Sequence, residues 1–535
     1  MTETTTQNPP NSKERWYAAP YHDLTRPSLA FRLTAGLLII GWIVLTGWIV
    51  TKTQTVGSPD EAANRLFIQH LAQTGSYRLS EGLTAAMVSF VHPRSIAVVG
   101  QDLASGSFLG LIQAGALIAK LFGLGAERFL IPLLMLGALL AMYDVFRRFW
   151  GRWWSLLGVV LLALHPALFE FATLPYMHNG AFVAGLMIAG WALLRLLERP
   201  RFWFAVVSGA AFGLALFFRP VEVLWTAPAI IIVLLARKLW RELIVVGVVT
   251  LFVQMPWLLA NHAIYGSFLS SGYTPSGVFT DSVNAVASVA APAKTLFTPP
   301  GGWSWHWLSS TWWYFILLLP TWSLMGLIAI SRYFRRKYVT WSKSFKLSVM
   351  SLIAIFPLVY YGCWNLYPTT PSGDVGALAS YARYWLSLYV MLVPGVIITL
   401  RLFTRRWLVV VVAAVMLFSQ GWTIWQHPVS GLQARFSADQ LHQITRQNIL
   451  RVTEPGSVVI AGAADKYIQG DRLALFQLPT NVAEWQALRT LVQQRPVYVY
   501  EPVGTPDASV MNSYGLTVTI QQAFDKDSVW KITPL

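Results

Sequence analysis

Cysteine is almost missing from this sequence: Cys363 is the single one in 535 residues. An intramolecular disulfide is excluded, and so is a paired-cysteine zinc or redox site. Charge is scarce too, at 12% of residues, against about 25% in an ordinary soluble domain. Neither a Walker A loop, an HExxH zinc motif nor a CxxC pair occurs. No long apolar stretch followed by a cleavage site opens the chain, whose first 32 residues are polar. The first apolar run is therefore read as an anchor and not as a removed signal peptide.

What takes the place of charge is hydrophobic. Apolar residues make up 55% of the chain and aromatic ones 14%, and the mean hydropathy is +0.50. Apolar runs of membrane-spanning length recur, which predicts an all-α polytopic membrane protein with about eleven spans. They fall at 33–51, 128–146, 153–172, 180–197, 202–218, 221–236, 243–261, 312–331, 347–362, 384–400 and 407–424.

The formal net charge of +16 would suggest nucleic acid in a soluble chain. Here the basic residues gather in alternate short links: the N-terminal tail with Lys13, Arg15, Arg26 and Arg32, then Arg147–Arg152, Arg199–Arg201, Arg237–Arg241, Arg332–Lys346 and Arg401–Arg406. All of these links lie on one side under this threading, as the positive-inside rule requires, and nucleic acid is set aside as a partner. An odd number of spans places a cytoplasmic tail (1–32) opposite an extracytoplasmic C-terminal segment. The segment SFLGLIQAGALIAKLFGLG from Ser107 is apolar but would spoil the charge pattern as a span. It is expected to lie as an interfacial helix.

Three outer segments follow: 52–127, 262–311 and 425–535. In the last, GSVVIAGAADKY and RPVYVYEPV read as short buried strands, and AEWQALRTLVQQ has helical apolar spacing. The expectation is a small extracytoplasmic α/β domain after the transmembrane domain (33–424).

The unusual polar residues sit near the outer span ends, where ionisable groups are functional candidates. Asp60 and Glu61 follow span one, Glu170 closes span three, and His178 and Asn179 follow it. Arg219 ends span five and Glu222 begins span six. Arg383 opens span ten, just after Tyr381. Ser58-Pro59-Asp60-Glu61 fits a capping box, which accounts for Glu61. Capping accounts less well for Asp60, which helix N-terminal amides keep ionised and able to accept a proton or bind a cation. The cluster around Arg383 suits a lipid phosphate, with an interfacial anchor as the plainer reading. Snorkelling is the plainer reading of Arg219, and a structural role that of His178. The Trp-rich stretch 303–313 reads as an interfacial belt before a sugar platform.

In order and spacing, Asp60-Glu61, Leu121-Phe122-Gly123, Arg128, GLALFFRP from Gly213, NHAIYGSFLSSGY from Asn261 and ARYWLSLYVMLVP from Ala382 resemble the GT-C membrane glycosyltransferases, notably the protein O-mannosyltransferases and the aminoarabinose transferases acting on lipid A. Two features depart from that pattern. His178-Asn179 stand where relatives often carry an acid, with Glu170 as a candidate substitute, and DLASGSF replaces a proline-rich turn.

The resemblance implies transfer of a sugar from a polyprenyl-phosphate donor to a glycan, lipid or protein acceptor outside a plasma or inner membrane, with inversion. Asp60, with Glu61 beside it, is then the catalytic candidate, and Arg383, Arg219 and Tyr381 are the donor-phosphate candidates. His178, Asn179 and Glu170 form a second set, and a divalent cation at Asp60 is an option. A transporter or flippase, and an inactive lipid-binding relative, are the competing readings. Transporters place polar groups near mid-membrane, whereas these span middles are nearly free of charge.

Overall fold

The computed structural model describes residues 27–88, 90–272, 302–317, 319–334, 355–363, 382–500, 507–524 and 527–535. The first helix, α1 (Leu29–Lys52), starts at Ser28, whose hydroxyl accepts from the Phe31 amide. Its buried residues Trp42, Thr46, Ile49 and Val50 form one stripe, and Leu33, Leu37, Ile40 and Val44 stay exposed. A helix that exposes its apolar face along most of its length suits lipid as its solvent.

The segment that follows α1, the first outer segment of the sequence reading, then folds over the bundle. It holds α2 (Pro59–Thr74), an antiparallel hairpin of β1 (Ile96–Val99) and β2 (Asp102–Ser105), and α3 (Leu109–Phe122). At 14 residues, α3 is about 21 Å long, too short to cross a hydrocarbon core of about 30 Å. It packs flush because two of its glycines allow it. A Cβ on Gly110 would lie 1.8 Å from the Phe217 carbonyl oxygen, and one on Gly115 would lie 2.7 Å from the Ile68 side chain.

The bundle continues with α4 (Leu130–Trp150), α5 (Arg152–Ala163), α6 (Pro166–Ala172), α7 (His178–Glu198), α8 (Phe202–Phe218), α9 (Val223–Ala236) and α10 (Trp240–Tyr265). After these come α11 (Pro320–Phe334), α12 (Leu386–Leu400) and α13 (Arg406–Gln426). The sequence reading takes 153–172 as one straight span. The structure bends it by 68° between α5 and α6, because Pro166 has no amide hydrogen to continue the helix and instead begins a new one at its first position. A second break precedes Pro320. Among the described residues, five helices are long and apolar enough to cross a membrane, or seven if each bent pair is one span. The helices Phe202–Phe218, Pro220–Ala236 and Leu386–Leu400 are apolar but shorter, and most of the expected span 347–362 lies outside the described residues.

The C-terminal segment adds α14 (Leu432–Val452), α15 (Val482–Gln494) and a five-stranded sheet. Its strands are β3 (Val458–Ile460), β4 (Leu473–Leu475), β5 (Val497–Tyr500), β6 (Leu516–Ala523) and β7 (Ser528–Pro534), in the order β4-β3-β5-β7-β6. β3 runs parallel to β4 and β5, whereas β7 is antiparallel to β5 and β6. The runs VVI and VYVY are apolar at every position because both sheet faces are covered. Val459, Tyr498 and Tyr500 pack with Ile449 of α14, while Val458, Val497 and Val499 pack with Leu488 and Leu491 of α15.

That second core also contains Val56, Phe67, Ile68 and Met87 of the first outer segment. Polar contacts reinforce the docking. Arg94 pairs with Asp465 at 2.7 Å, Lys466 Nζ donates to the Gly57 carbonyl at 2.7 Å, and the Thr55 amide donates to Asp439 Oδ1 at 2.7 Å. The α/β unit is thus not a free appendage, since it shares its core with the loop that carries Asp60.

Candidate active site at one end of the bundle

Ser58 is the N-cap of α2, Pro59 is its first residue, and both halves of a capping box form. The Ser58 hydroxyl accepts from the Glu61 amide at 3.2 Å. Glu61 Oε2 accepts from the amides of Gly57 at 3.1 Å and Ser58 at 3.3 Å. This turn sends the two adjacent acids in different directions.

Asp60 points toward the helix-end cluster. Its Oδ1 accepts from the Ser95 hydroxyl at 2.6 Å, and its Oδ2 faces Arg383 Nη1 at 3.4 Å. Arg383 sits in a short 3-10 turn, Ala382–Tyr384, and its Nη2 donates to the Tyr384 hydroxyl at 3.1 Å. Arg219, at the end of α8, lies over the same ring: its guanidinium carbon is 5.2 Å from the Tyr384 centroid, against 5.0 Å for that of Arg383. The two cations therefore share one aromatic partner. Arg219 is also ion-paired with Glu222 at 2.8 Å, both deeply buried. The Tyr361 hydroxyl donates to Glu222 Oε1 at 2.6 Å, and its ring stacks on that of Tyr384 with centroids 4.8 Å apart.

His178 and Asn179 open α7 within this cluster. His178 is buried edge-on against Phe108 and within Coulombic reach of both arginines. Asn179 Nδ2 donates to the Arg383 carbonyl at 3.5 Å. His178 Nδ1 and Asn179 Oδ1 are buried with no hydrogen-bond partner among the described residues.

Glu61 belongs to a neighbouring cavity of about 340 Å³, bordered by Arg65, Arg128, Glu170, Arg383 and Arg435. Arg435 reaches in from α14 and donates through Nη1 to the Thr173 hydroxyl at 3.1 Å and through Nη2 to its carbonyl at 2.9 Å. It lies within Coulombic reach of both Glu61 and Glu170. Burial pushes the Glu61 carboxyl above its ordinary range, while Arg435 and the two capping amides pull the other way. Glu170 Oε2 is buried with no partner among the described residues.

The predicted residues thus divide into two groups joined by Arg383. Asp60, Arg219, Arg383, His178 and Asn179 meet at one, and Glu61 and Glu170 meet at the other. Tyr381 lies outside the described residues. Sequence reasoning missed Ser95, Tyr361 and Arg435. In LQARFSADQ, Arg435 and Asp439 are four apart and read as an ordinary surface helix pair.

The divalent cation expected as an option at Asp60 has these described surroundings. The Asp60 carboxylate faces a hydroxyl and a guanidinium, and no group of three or more His, Cys, Asp or Glu converges to hold a metal among the described residues.

Residues 111–259 match the family described as dolichyl-phosphate-mannose-protein mannosyltransferase. No curated protein matches the chain. Among solved structures, ArnT from Cupriavidus metallidurans bound to undecaprenyl phosphate is similar with a TM-score of 0.58 at 11% identity, covering 93% of this chain and 98% of that one. The chain has the GT-C fold. Apo ArnT from the same organism aligns with a TM-score of 0.53 at 12% identity, over 94% of this chain and 98% of that one. The Archaeoglobus fulgidus oligosaccharyltransferase gives 0.51 at 11% identity, over 87% of this chain and 69% of that one. The GT-C likeness runs through both the helical bundle and the C-terminal segment, since the ArnT alignments span nearly the whole chain.

Proposed function

We propose that this chain is an integral membrane glycosyltransferase that moves a sugar from a polyprenyl-phosphate donor to an extracytoplasmic acceptor hydroxyl. The observation that carries this reading is the Asp60–Arg383 pair at 3.4 Å. A phosphate-linked sugar needs a cation at the leaving oxygen and a base at the attacking one, and the pair puts both in one place. The fold shared with an ArnT bound to undecaprenyl phosphate supports the donor class.

In this reaction Asp60 takes the proton of the acceptor hydroxyl. The acceptor oxygen attacks the anomeric carbon, and the bond from that carbon to the phosphate oxygen breaks with its electron pair leaving on phosphate. Arg383 meets that charge, with Arg219 behind it across Tyr384. Attack opposite the leaving group inverts the anomeric centre. Arg383 also has a second effect. A donor phosphate competes with Asp60 for its guanidinium, so donor binding loosens the ion pair and frees the carboxylate, which Ser95 still orients. Tyr381, two residues before Arg383, is a further candidate for the phosphate. His178 and Asn179 brace the arginine turn, and the neighbouring cavity with Glu61 and Glu170 is available to the acceptor.

The test is incubation of membranes containing the protein with a panel of radiolabelled polyprenyl-phosphate sugars, followed by identification of the labelled product. Arg383→Ala is expected to lower transfer by about 10²–10³-fold, the scale for removing one stabiliser of developing negative charge. Unchanged donor affinity and turnover in that variant would reduce Arg383 to an anchor. Sugar accumulating inside proteoliposomes without transfer would replace the enzyme reading with a transporter.

A further inference from the structure

A second recess lies away from the Asp60 cluster, where the first outer segment meets the C-terminal sheet. It has a volume of about 180 Å³, below the range of about 300–1,000 Å³ usual for drug-sized ligands and suited to one small ring. Its wall is mainly apolar, with Leu66 of α2, Val91, Ile96 and Leu473 contributing. Gln469 lines the recess, and both amide atoms of its side chain are buried with no hydrogen-bond partner among the described residues. Leaving a carboxamide unsatisfied in both its donor and its acceptor is costly unless something uses it.

The charges around this recess limit what that can be. Glu81, Asp471, Arg472 and Arg495 all border it, so the lining is balanced and favours a neutral ligand. Three of the four are already engaged. Asp471 is paired with Arg446 at 2.7 Å, and Arg472 donates to the Thr453 hydroxyl and to backbone carbonyls. Arg495 Nη2 donates to the Glu81 carbonyl oxygen at 2.8 Å. Glu81 borders the recess, and its partly buried setting raises the pKa of its carboxyl, with Arg495 opposing.

The geometry points to a binding site for a neutral sugar ring, held by the Gln469 amide and the Glu81 carboxyl against the apolar wall. Two neighbouring hydroxyls of such a ring present a donor and an acceptor side by side, which is the complement of a carboxamide. Its C–H face matches Leu66, Val91 and Ile96. A charged or extended ligand satisfies neither the balance nor the volume. The site goes beyond the transfer reaction and does not depend on it, but it touches the same loop: Pro93 and Ile96 border the recess, and Ser95 between them holds Asp60.

The experiment is saturation-transfer NMR of the purified full chain with methyl α-mannoside, methyl β-glucoside and methyl β-galactoside as probes. At least one is expected to bind saturably, with affinity falling tenfold or more in Gln469→Leu and in Glu81→Gln, and unchanged in Asp60→Asn. The two recess variants remove the polar contacts by different chemistry, so a folding defect in one leaves the other to decide. No saturable binding of any probe to the wild type would overturn the assignment, as would binding that both recess variants leave within twofold. Transfer activity is read separately, so loss of the sugar site leaves the Asp60 assignment standing, and loss of the Asp60 assignment leaves the sugar site standing.

Discussion

The two ends of the helical bundle are both polar, yet they are polar in different ways. At one end Asp144 of α4 accepts from Arg148 Nη2, Arg195 Nη2 and Trp191 Nε1, each within 2.8 Å. Arg148 also pairs with Glu198 of α7. Both carboxylates of this network, Asp144 and Glu198, meet a cation, and it staples α4 to α7. At the other end Asp60 holds one hydroxyl and one arginine at the longer distance of 3.4 Å. Around it, Glu170 Oε2, His178 Nδ1, Asn179 Oδ1 and Arg128 Nε are buried without hydrogen-bond partners among the described residues. A structural ion network closes on itself. A site that must receive a substrate leaves capacity over, at a cost in stability that the rest of the fold carries.

The sharpest way to break the comparison is to remove one acid from each end. Asp60→Asn is expected to lower kcat for sugar transfer by about 10²–10⁴-fold, the range for loss of a general base, with little change in thermal unfolding of the purified protein. Asp144→Asn is expected to do the reverse. It leaves Arg148 and Arg195 without their shared counter-charge and costs about 3 kcal/mol, the low end for a broken buried pair, because Asp144 is 20% exposed. Its kcat stays within about threefold of wild type. Wild-type transfer by Asp60→Asn would remove the base assignment and dissolve the contrast.

Arg435→Ala comes next. It removes the forked donation to Thr173 and the cation between Glu61 and Glu170. The expected loss is about 2–3 kcal/mol of stability, read by denaturation in detergent. Arg435→Lys restores the charge but not the fork, and should recover about half of that loss. Equal behaviour of the two variants would mean that charge contributes nothing there.

Glu61 sharpens the contrast through pH. Burial raises its carboxyl above the ordinary value, against the pull of Arg435. Its contribution to stability is therefore full below the unfolded value, about 4.3, and is lost as pH rises through the folded value. Glu61→Gln keeps an oxygen for the capping amides and removes the titration. Between pH 5 and 8, melting temperatures should shift in favour of the variant as pH rises. A shift in favour of wild type would contradict the burial argument.

Much of this arrangement was legible in the sequence, for identifiable reasons. Apolar runs located many of the described helices, because lipid forbids charge along them. Ser58, Pro59 and Glu61 announced the start of α2 through short-range rules. The strands at Val458 and Val497 were readable because a sheet covered on both faces is apolar at every position. The pairing of Asp60 with Arg383, 323 residues apart, was not. A sequence shows that both lie near span ends, but not which rotation of each helix end brings them together. Arg435 was hidden for a different reason. Its helix begins six residues after a span, at Leu432, and reads as the start of a separate domain, whereas burial of Val56, Phe67 and Met87 against the sheet draws it over the membrane domain. The bend at His165 was marked by Pro166, but the apolar run continues through it and masks the break.

The smallest effect expected lies at the rim, where the α/β unit meets the cavity. The His442 ring stacks on Tyr467 with centroids 4.1 Å apart. Its pKa is pulled down to about 4 by burial first and by Lys466 second, with Asp439 opposing. A histidine depressed in the folded state contributes stability that is present above its unfolded value, about 6.5, and lost as pH falls toward the folded one. The wild-type melting temperature should therefore drop between pH 6.5 and 4.5, and His442→Gln should flatten that drop while leaving the value at pH 7.5 nearly unchanged. The Asp144 network holds no histidine, so Asp144→Asn should lower the whole curve without altering its slope over that window. If His442→Gln left the acid slope intact, the assignment of that slope to this imidazole would be wrong.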